Sequence, residues 1–202
     1  QGLSGQYSQL IMVGQPLGTF YGKRFTGVDA NGMEQYADGG KSEIIGCAQP
    51  DFTYAIATSI HYKKWSLSLN FRGSQGNDIY NNTANNFMYL NSLPGRNVLA
   101  SALTSGISVN QAKTYSSQFI EDGSFFRLDN MTIGYDFAVP TLKVTHARIY
   151  VTGQNLFCIT GYSGLDPEVN TDTSGNGSSI LGVDYLSYPR SRNFLLGINI
   201  TF

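Results

Sequence analysis

The sequence predicts an all-β fold, an antiparallel up-and-down sheet of about seven strands. Three observations carry that reading. Apolar and polar residues alternate with a period of two over long stretches, which gives each stretch one apolar and one polar face. Charged residues make up only 13% of the chain, about half the share usual in soluble domains, whereas aromatics also reach 13%, with 13 Tyr and 12 Phe against one Trp. Very short connections between the alternating stretches exchange with very long ones rich in Gly and Asn.

Two weak candidate strands come first, QYSQLIMV (residues 6–13) and GTFYGKRFTGV (residues 18–28). FTYAIATSIHY is stronger. Phe52, Tyr54, Ile56, Ile60 and Tyr62 share one face, with Thr58 as the exception, and Thr53, Ala55, Ala57, Ser59 and His61 share the other. After a tight turn at Lys63 and Lys64, WSLSLNFRG sets Trp65, Leu67, Leu69 and Phe71 against Ser66, Ser68, Asn70 and Arg72. MTIGYDF aligns Met131, Ile133, Tyr135 and Phe137, and its alternation slips before Asn130, which predicts a bulge there. A short connection, AVPTLKV, leads to HARIYVTGQNLF, where Ala147, Ile149 and Val151 oppose Arg148, Tyr150, Thr152 and Gln154. The last stretch puts Phe194, Leu196, Ile198, Ile200 and Phe202 on one face and Leu195, Gly197, Asn199 and Thr201 on the other. The long connections run from Asp29 to Asp51, from Gly76 to Ser124 and from Cys158 to Tyr188; the second is roughly fifty residues, far beyond an ordinary loop.

Alternation alone leaves two all-β architectures open. A soluble sandwich buries its apolar face between two sheets. An outer-membrane barrel turns that face to lipid and lines its lumen with polar groups. Short turns at one end and long loops at the other favour the barrel. So do the aromatics at the short-turn end of the apolar face, Tyr62, Trp65, Tyr135, Phe137 and Phe202, because amphipathic rings prefer the headgroup zone. Strands of ten or more residues are also long enough to cross at a tilt.

Composition and motifs exclude several functions. A net charge of −1 gives no electrostatic case for nucleic acid. Cys47 and Cys158 are too few for a disulfide framework and lack metal-binding spacing, although a bridge between them stays open. The longest aliphatic run, LIMV, is too short for a membrane helix, and the opening on Gln1 reads as a mature or truncated start. His61 and His146 fall beside short turns on strands three apart, roughly 14 Å from one another, too far to share a metal. VDANG (Asp29, Asn31, Gly32) and DPEVNTD (Asp166, Glu168, Asp172) offer oxygen ligands but lack the full calcium-loop pattern, and turn chemistry, in which Asp, Asn and Gly supply the required conformations, is the favoured account. GYSGL around Ser163 has the wrong spacing for a nucleophile elbow, and no carboxylate pair stands out, so no enzyme, cofactor or metal is expected. The loop GNDIYNNTANNFMYLNSLPG interleaves Tyr80, Phe87 and Tyr89 with many Asn. These three are the candidate contacts to substrate or to a partner, by stacking and by adaptable amide hydrogen bonds; packing within the loop itself is the competing reading.

Five ordered motifs resemble one family. GQPLGTFYGKRFTGVDANG, IGCAQPDF followed by GNDIYN, IEDGSFFRLDN, NLF with GYSGLDPEV, and the closing YPRSRNFLLGINITF are similar to segments of the SusC/RagA-type TonB-dependent outer-membrane transporters of Bacteroidetes. The resemblance implies that residues 1–202 form the C-terminal segment of a large transmembrane β-barrel, without the plug domain and N-terminal strands. It implies residence in the cell outer membrane and import of a glycan or oligopeptide. The partners it implies are a SusD-like surface lipoprotein, TonB-ExbB-ExbD acting through the missing N-terminal part, outer-membrane lipid and the barrel assembly machinery. It gives Phe202 the role of assembly signal. The alternative is a soluble β-sandwich carbohydrate-binding module of a secreted protein.

Overall fold

The computed structural model describes residues 7–139, 144–171 and 180–201. Its strands in chain order are β1 (Thr19–Lys23), β2 (Phe25–Val28), β3 (Glu34–Tyr36), β4 (Ser42–Cys47), β5 (Phe52–Tyr62), β6 (Trp65–Gln75), β7 (Asp78–Asn81), β8 (Ile120–Asp122), β9 (Phe125–Val139), β10 (Val144–Thr160), β11 (Val183–Asp184) and β12 (Asn193–Thr201). One short helix, α1 (Asn82–Phe87), follows β7. The chain divides into two units, one built from residues 1–51, 76–124 and 161–188, the other from residues 52–75, 125–160 and 189–202.

The second unit is a single antiparallel sheet in chain order, β5-β6-β9-β10-β12. Cross-strand partners share a face, so the register sorts the side chains. Ile60, Leu67, Ile133, Val151 and Leu196 form one row across all five strands. The next row toward the short turns holds Tyr62, Trp65, Tyr135, Ile149 and Ile198. Rows of the opposite face hold Ser59, Ser68, Thr132, Thr152 and Leu195, and then Ala57, Asn70, Asn130, Gln154 and Asn193. The alternation read from the sequence therefore places the aliphatics together on one face and the polar residues on the other.

That apolar face is open. Ile149 is 41% and Ile198 is 56% exposed, and Leu69 is only half-buried. A sandwich requires these three to meet in a dry core between two sheets, so the sandwich reading is overturned. Aromatics bound the aliphatic rows at both ends. At the turn end Trp65 and Tyr135 lie 4.8 Å apart between ring centres, with Phe137 stacked on Tyr135 at 6.3 Å. At the other end Phe126 stacks on Phe71 at 5.3 Å and on Tyr54 at 6.3 Å, and touches Phe157 at 6.5 Å. Only the first of these bands is legible in the alternation of the sequence. β5 has 11 residues. At about 3.4 Å per residue it is about 34 Å long. Tilted by about 40° it rises about 26 Å, close to the apolar height of an outer-membrane barrel.

Three register shifts mark the described part of the sheet, one of them between Val144 and Ala147 on β10. The pairing of β6 with β9 shifts between Asn70 and Phe71, whose partners are Asn130 and Leu128, so Asp129 is the extra residue and the bulge expected before Asn130 is present. A second, unforeseen shift falls between Gln154 and Phe157 on β10, where Asn155 adopts a φ of 53°. Asn tolerates this left-handed conformation better than most residues. Its amide donates to the carbonyls of Arg190 (3.1 Å) and Ser191 (3.2 Å) and accepts from Arg127, so one side chain ties three passages of the sheet unit together.

The two weak candidate strands do not join this sheet. Tyr7 to Val13 contributes one isolated bridge, Gln9 with Phe20, and leaves Ile11 and Val13 exposed. The stretch from Gly18 to Val28 divides at Arg24 into β1, paired with β4, and β2, paired with β3. Arg24 is the junction: its side chain binds Glu43 and the Ile44 carbonyl, and its own carbonyl accepts from Ala37 N–H. The first unit is thus made of short strands around a core of Phe20, Ile45, Tyr80, Tyr89, Ile107, Tyr115, Phe119 and Val183. Residues 97–106 form only a single 3-10 turn, Ala100–Thr104, whereas the helix of the loop is α1, capped by the Asn81 carboxamide accepting from Ala84 N–H at 2.8 Å.

Candidate functional site

The chain leaves the sheet for the first unit always at the same end of the strands. Phe52 pairs with Gln75, Ser74 with Phe125, and Phe125 with Thr160. The long connections are therefore not independent loops. Residues 76–124 and 161–188 fold together with residues 1–51.

The motifs meet in that unit through glycines and carboxylates. A Cβ on Gly46 would fall 2.6 Å from Asp78 Oδ2, so the glycine makes room for the Asp78 carboxylate, which accepts from Cys47 N–H at 2.8 Å. Burial raises the Asp78 carboxyl above the usual range. A Cβ on Gly123 would strike Asn77 and Ile79, and Gly123 N–H donates to the Asn77 carbonyl at 2.8 Å. Glu121 accepts from Ser163 N–H (2.8 Å), Ser163 O–H (2.9 Å) and the Asn81 amide (2.9 Å). The Tyr162 hydroxyl donates to Asp184 at 2.6 Å. Ser163, with no nucleophile's spacing in the sequence, is thus a structural hydroxyl held by Glu121.

Of the candidate contacts in the loop, Tyr80 and Tyr89 are 1% and 2% exposed. Tyr80 packs edge-on against Tyr115 at 4.8 Å, and its hydroxyl donates to Asn82 and accepts from Asn85. The Tyr89 hydroxyl donates to the buried Glu34 at 2.8 Å, and Gln111 and Tyr36 also donate to that carboxylate. Burial pushes the Tyr89 hydroxyl far above its ordinary value. These two rings organise the loop from within. Phe87 is half-buried, with the Arg96 guanidinium 5.6 Å from its ring centre. Phe202 and Asp172 lie outside the described residues.

The oxygen-rich turns are occupied by their own backbone. Asp29 accepts from Asn31 and Met33 N–H, each at 2.8 Å, and Asp166 from Glu168 N–H at 2.9 Å. Among the described residues no group of three or more His, Cys, Asp or Glu is placed to hold a metal ion. Cys47 and Cys158 are not joined to one another by a disulfide.

The polar face of the sheet carries its own network near the short turns. Arg148 donates to Ser66 at 2.7 Å, in space that exists because Gly134 has no side chain. His146 contacts Asp136 at 3.2 Å, Asp136 faces Arg148 in register, and Thr132 and Thr152 share a hydrogen bond of 2.9 Å. Tyr150 lies flat over Gly197, its partner on β12. On the apolar face an open hollow of about 250 Å³ lies among Ile60, Tyr62, Trp65, Leu67 and Ile133. A sheet with one hydrogen-bonded polar face and one bare apolar face suits a wall between water and hydrocarbon.

Comparison with known proteins agrees. No family model matches the chain. It is 31% identical over 96% of its length to TonB-dependent receptor P3 of Formosa agariphila, of which it spans 23%. It is 34% identical over 87% of its length to TonB-dependent receptor SusC of Bacteroides thetaiotaomicron, of which it spans 17%. The fold matches part of the RagAB peptide transporter, with a TM-score of 0.78 at 22% identity over 96% of this chain and 24% of that one. The chain therefore spans about a quarter or less of the proteins it resembles.

Proposed function

The chain belongs to the SusC/RagA-type TonB-dependent receptors, and on that premise we propose that its sheet is part of the wall of an outer-membrane barrel that imports nutrients. The open aliphatic face, banded by aromatics at both ends, carries the proposal. Lipid covers the face that a soluble protein would have to hide. The opposite face, with Ser, Thr, Asn, Gln and the Arg148–Ser66 contact, lines the lumen.

The receptor sets the short turn at Lys63 and Lys64 on the periplasmic side and its long connections on the cell surface, following the length rule for such barrels. There it meets a SusD-like lipoprotein and an oligopeptide or glycan cargo; RagAB, whose fold the chain shares, is a peptide importer. Phe87 is the candidate contact exposed enough to serve, with Tyr80 and Tyr89 holding its loop in shape. Energy comes from TonB-ExbB-ExbD through parts of the receptor beyond these residues.

An epitope inserted in the full-length receptor beside the exposed Leu103 tests the orientation. The tag is expected to be stained on intact cells; staining only after permeabilisation reverses the topology.

A further inference from the structure

Resting on the import reading, we propose that Arg96 and Lys113, beside Phe87, form a recognition site for a carboxylate on the incoming ligand. All three belong to the first unit. Arg96 is exposed, and Phe87 and Lys113 are half-buried. Phe87 is fixed by its backbone, because its carbonyl accepts from Leu99 N–H at 2.8 Å. The Arg96 guanidinium lies over that ring and spends one donor on Ser92 Oγ at 3.2 Å. The Lys113 ammonium donates to Asn86 Oδ1 at 2.5 Å, and Asn86 is itself held by donating to the Asn82 carbonyl on α1.

The charge arrangement is what points to a ligand. Among the described residues, the groups that the Arg96 and Lys113 side chains contact are a ring, a hydroxyl and an amide; none is a carboxylate. Arg96 sits over Phe87 and Lys113 on the adjacent Asn86, so two cations are held near one another in a chain whose net charge is −1; burial, and secondarily Arg96, lower the Lys113 pKa. An incoming carboxylate relieves the repulsion between the two cations and takes up the free donors of a guanidinium, whose planar fork matches its two oxygens. The adjoining Phe87 face supplies an apolar platform for the rest of the ligand. The same chemistry comes from the carboxylates of an acidic oligopeptide or from the uronates of an acidic oligosaccharide.

Purified full-length receptor decides it. Binding is measured by calorimetry at low salt with tetraglutamate and tetraglutamine, and with tetragalacturonate and neutral tetragalactan. One acidic probe is expected to bind at least tenfold tighter than its neutral counterpart, which identifies the source. That gap is expected to close in R96Q and K113Q, and to narrow with salt in the wild type. Equal binding of acidic and neutral probes by the wild type, or a gap that survives both substitutions, overturns the site. Heat-modifiability of the same preparations reports on the barrel separately, so a wild-type receptor with an intact barrel and no acid preference tells against this site alone.

Discussion

Leu69→Arg is expected to abolish most membrane insertion of the full-length receptor, while Ser68→Arg, one residue away, leaves it near wild type. Leu69 faces Thr58 and Met131 in the middle of the apolar face; Ser68 faces Ser59 and Thr132 on the polar face. An arginine at the lipid-facing midplane costs about 2–4 kcal/mol. At about 1.4 kcal/mol per tenfold, that is a shift of roughly 30- to 700-fold in the folding equilibrium. A lumen arginine meets water and neighbouring hydroxyls and stays within about twofold. The readout is the heat-modifiable fraction of each variant in outer membranes. Equal loss in both variants, or none in Leu69→Arg, would falsify the lipid-facing assignment.

Phe20→Ala is expected to unfold the first unit and spare the barrel. Phe20 is 0% exposed at the centre of the core that also holds Tyr80, Tyr115 and Val183. Truncating a buried Phe costs about 3–5 kcal/mol, comparable to much of the stability of a small domain. Trypsin added to intact cells should then cut at Arg96 or Lys113 in the variant and not in the wild type. The amount of heat-modifiable receptor should stay unchanged. Resistance equal to wild type would mean that Phe20 is not the keystone of that core. Loss of insertion would mean that the unit and the sheet do not fold separately.

These two sites differ in how far the sequence exposes them. Leu69 and Ser68 were legible because a strand has a side-chain period of two, and nothing but that period decides the face. The slip before Asn130 gave away the bulge at Asp129 for the same reason. The bulge at Asn155 left a fainter trace: two polar residues, Gln154 and Asn155, are followed by two apolar ones, Leu156 and Phe157, and the register shift with the φ of 53° shows what that slip means. The band of Phe71, Phe126 and Phe157 was hidden because its rings come from three strands and meet only through the register. Tyr80 and Tyr89 read equally as ligand contacts and as packing within the loop, since aromatics among asparagines suit both. In the structure asparagines hold only the first of the two hydroxyls: Asn82 and Asn85 bind Tyr80, whereas Tyr89 donates to Glu34. The nearby glycines were the available signal. Gly46 and Gly123 mark places where another segment approaches the backbone too closely for any side chain.

The first unit is stitched from three stretches of chain with sheet strands between them, and that has a kinetic consequence. Gln9 donates to the carbonyl of Leu181, 172 residues further on. Phe20 from the first stretch, Tyr80 and Tyr115 from the second and Val183 from the third complete one core. Contacts of such sequence separation form slowly, because the entropy of closing long loops is spent before any of them is rewarded. Until residue 183 has been delivered, the apolar side chains of the first two stretches have no finished place to go. A chaperone that releases this chain early would release a sticky, half-assembled intermediate, so the late arrival of the third stretch sets how long the nascent chain must be escorted.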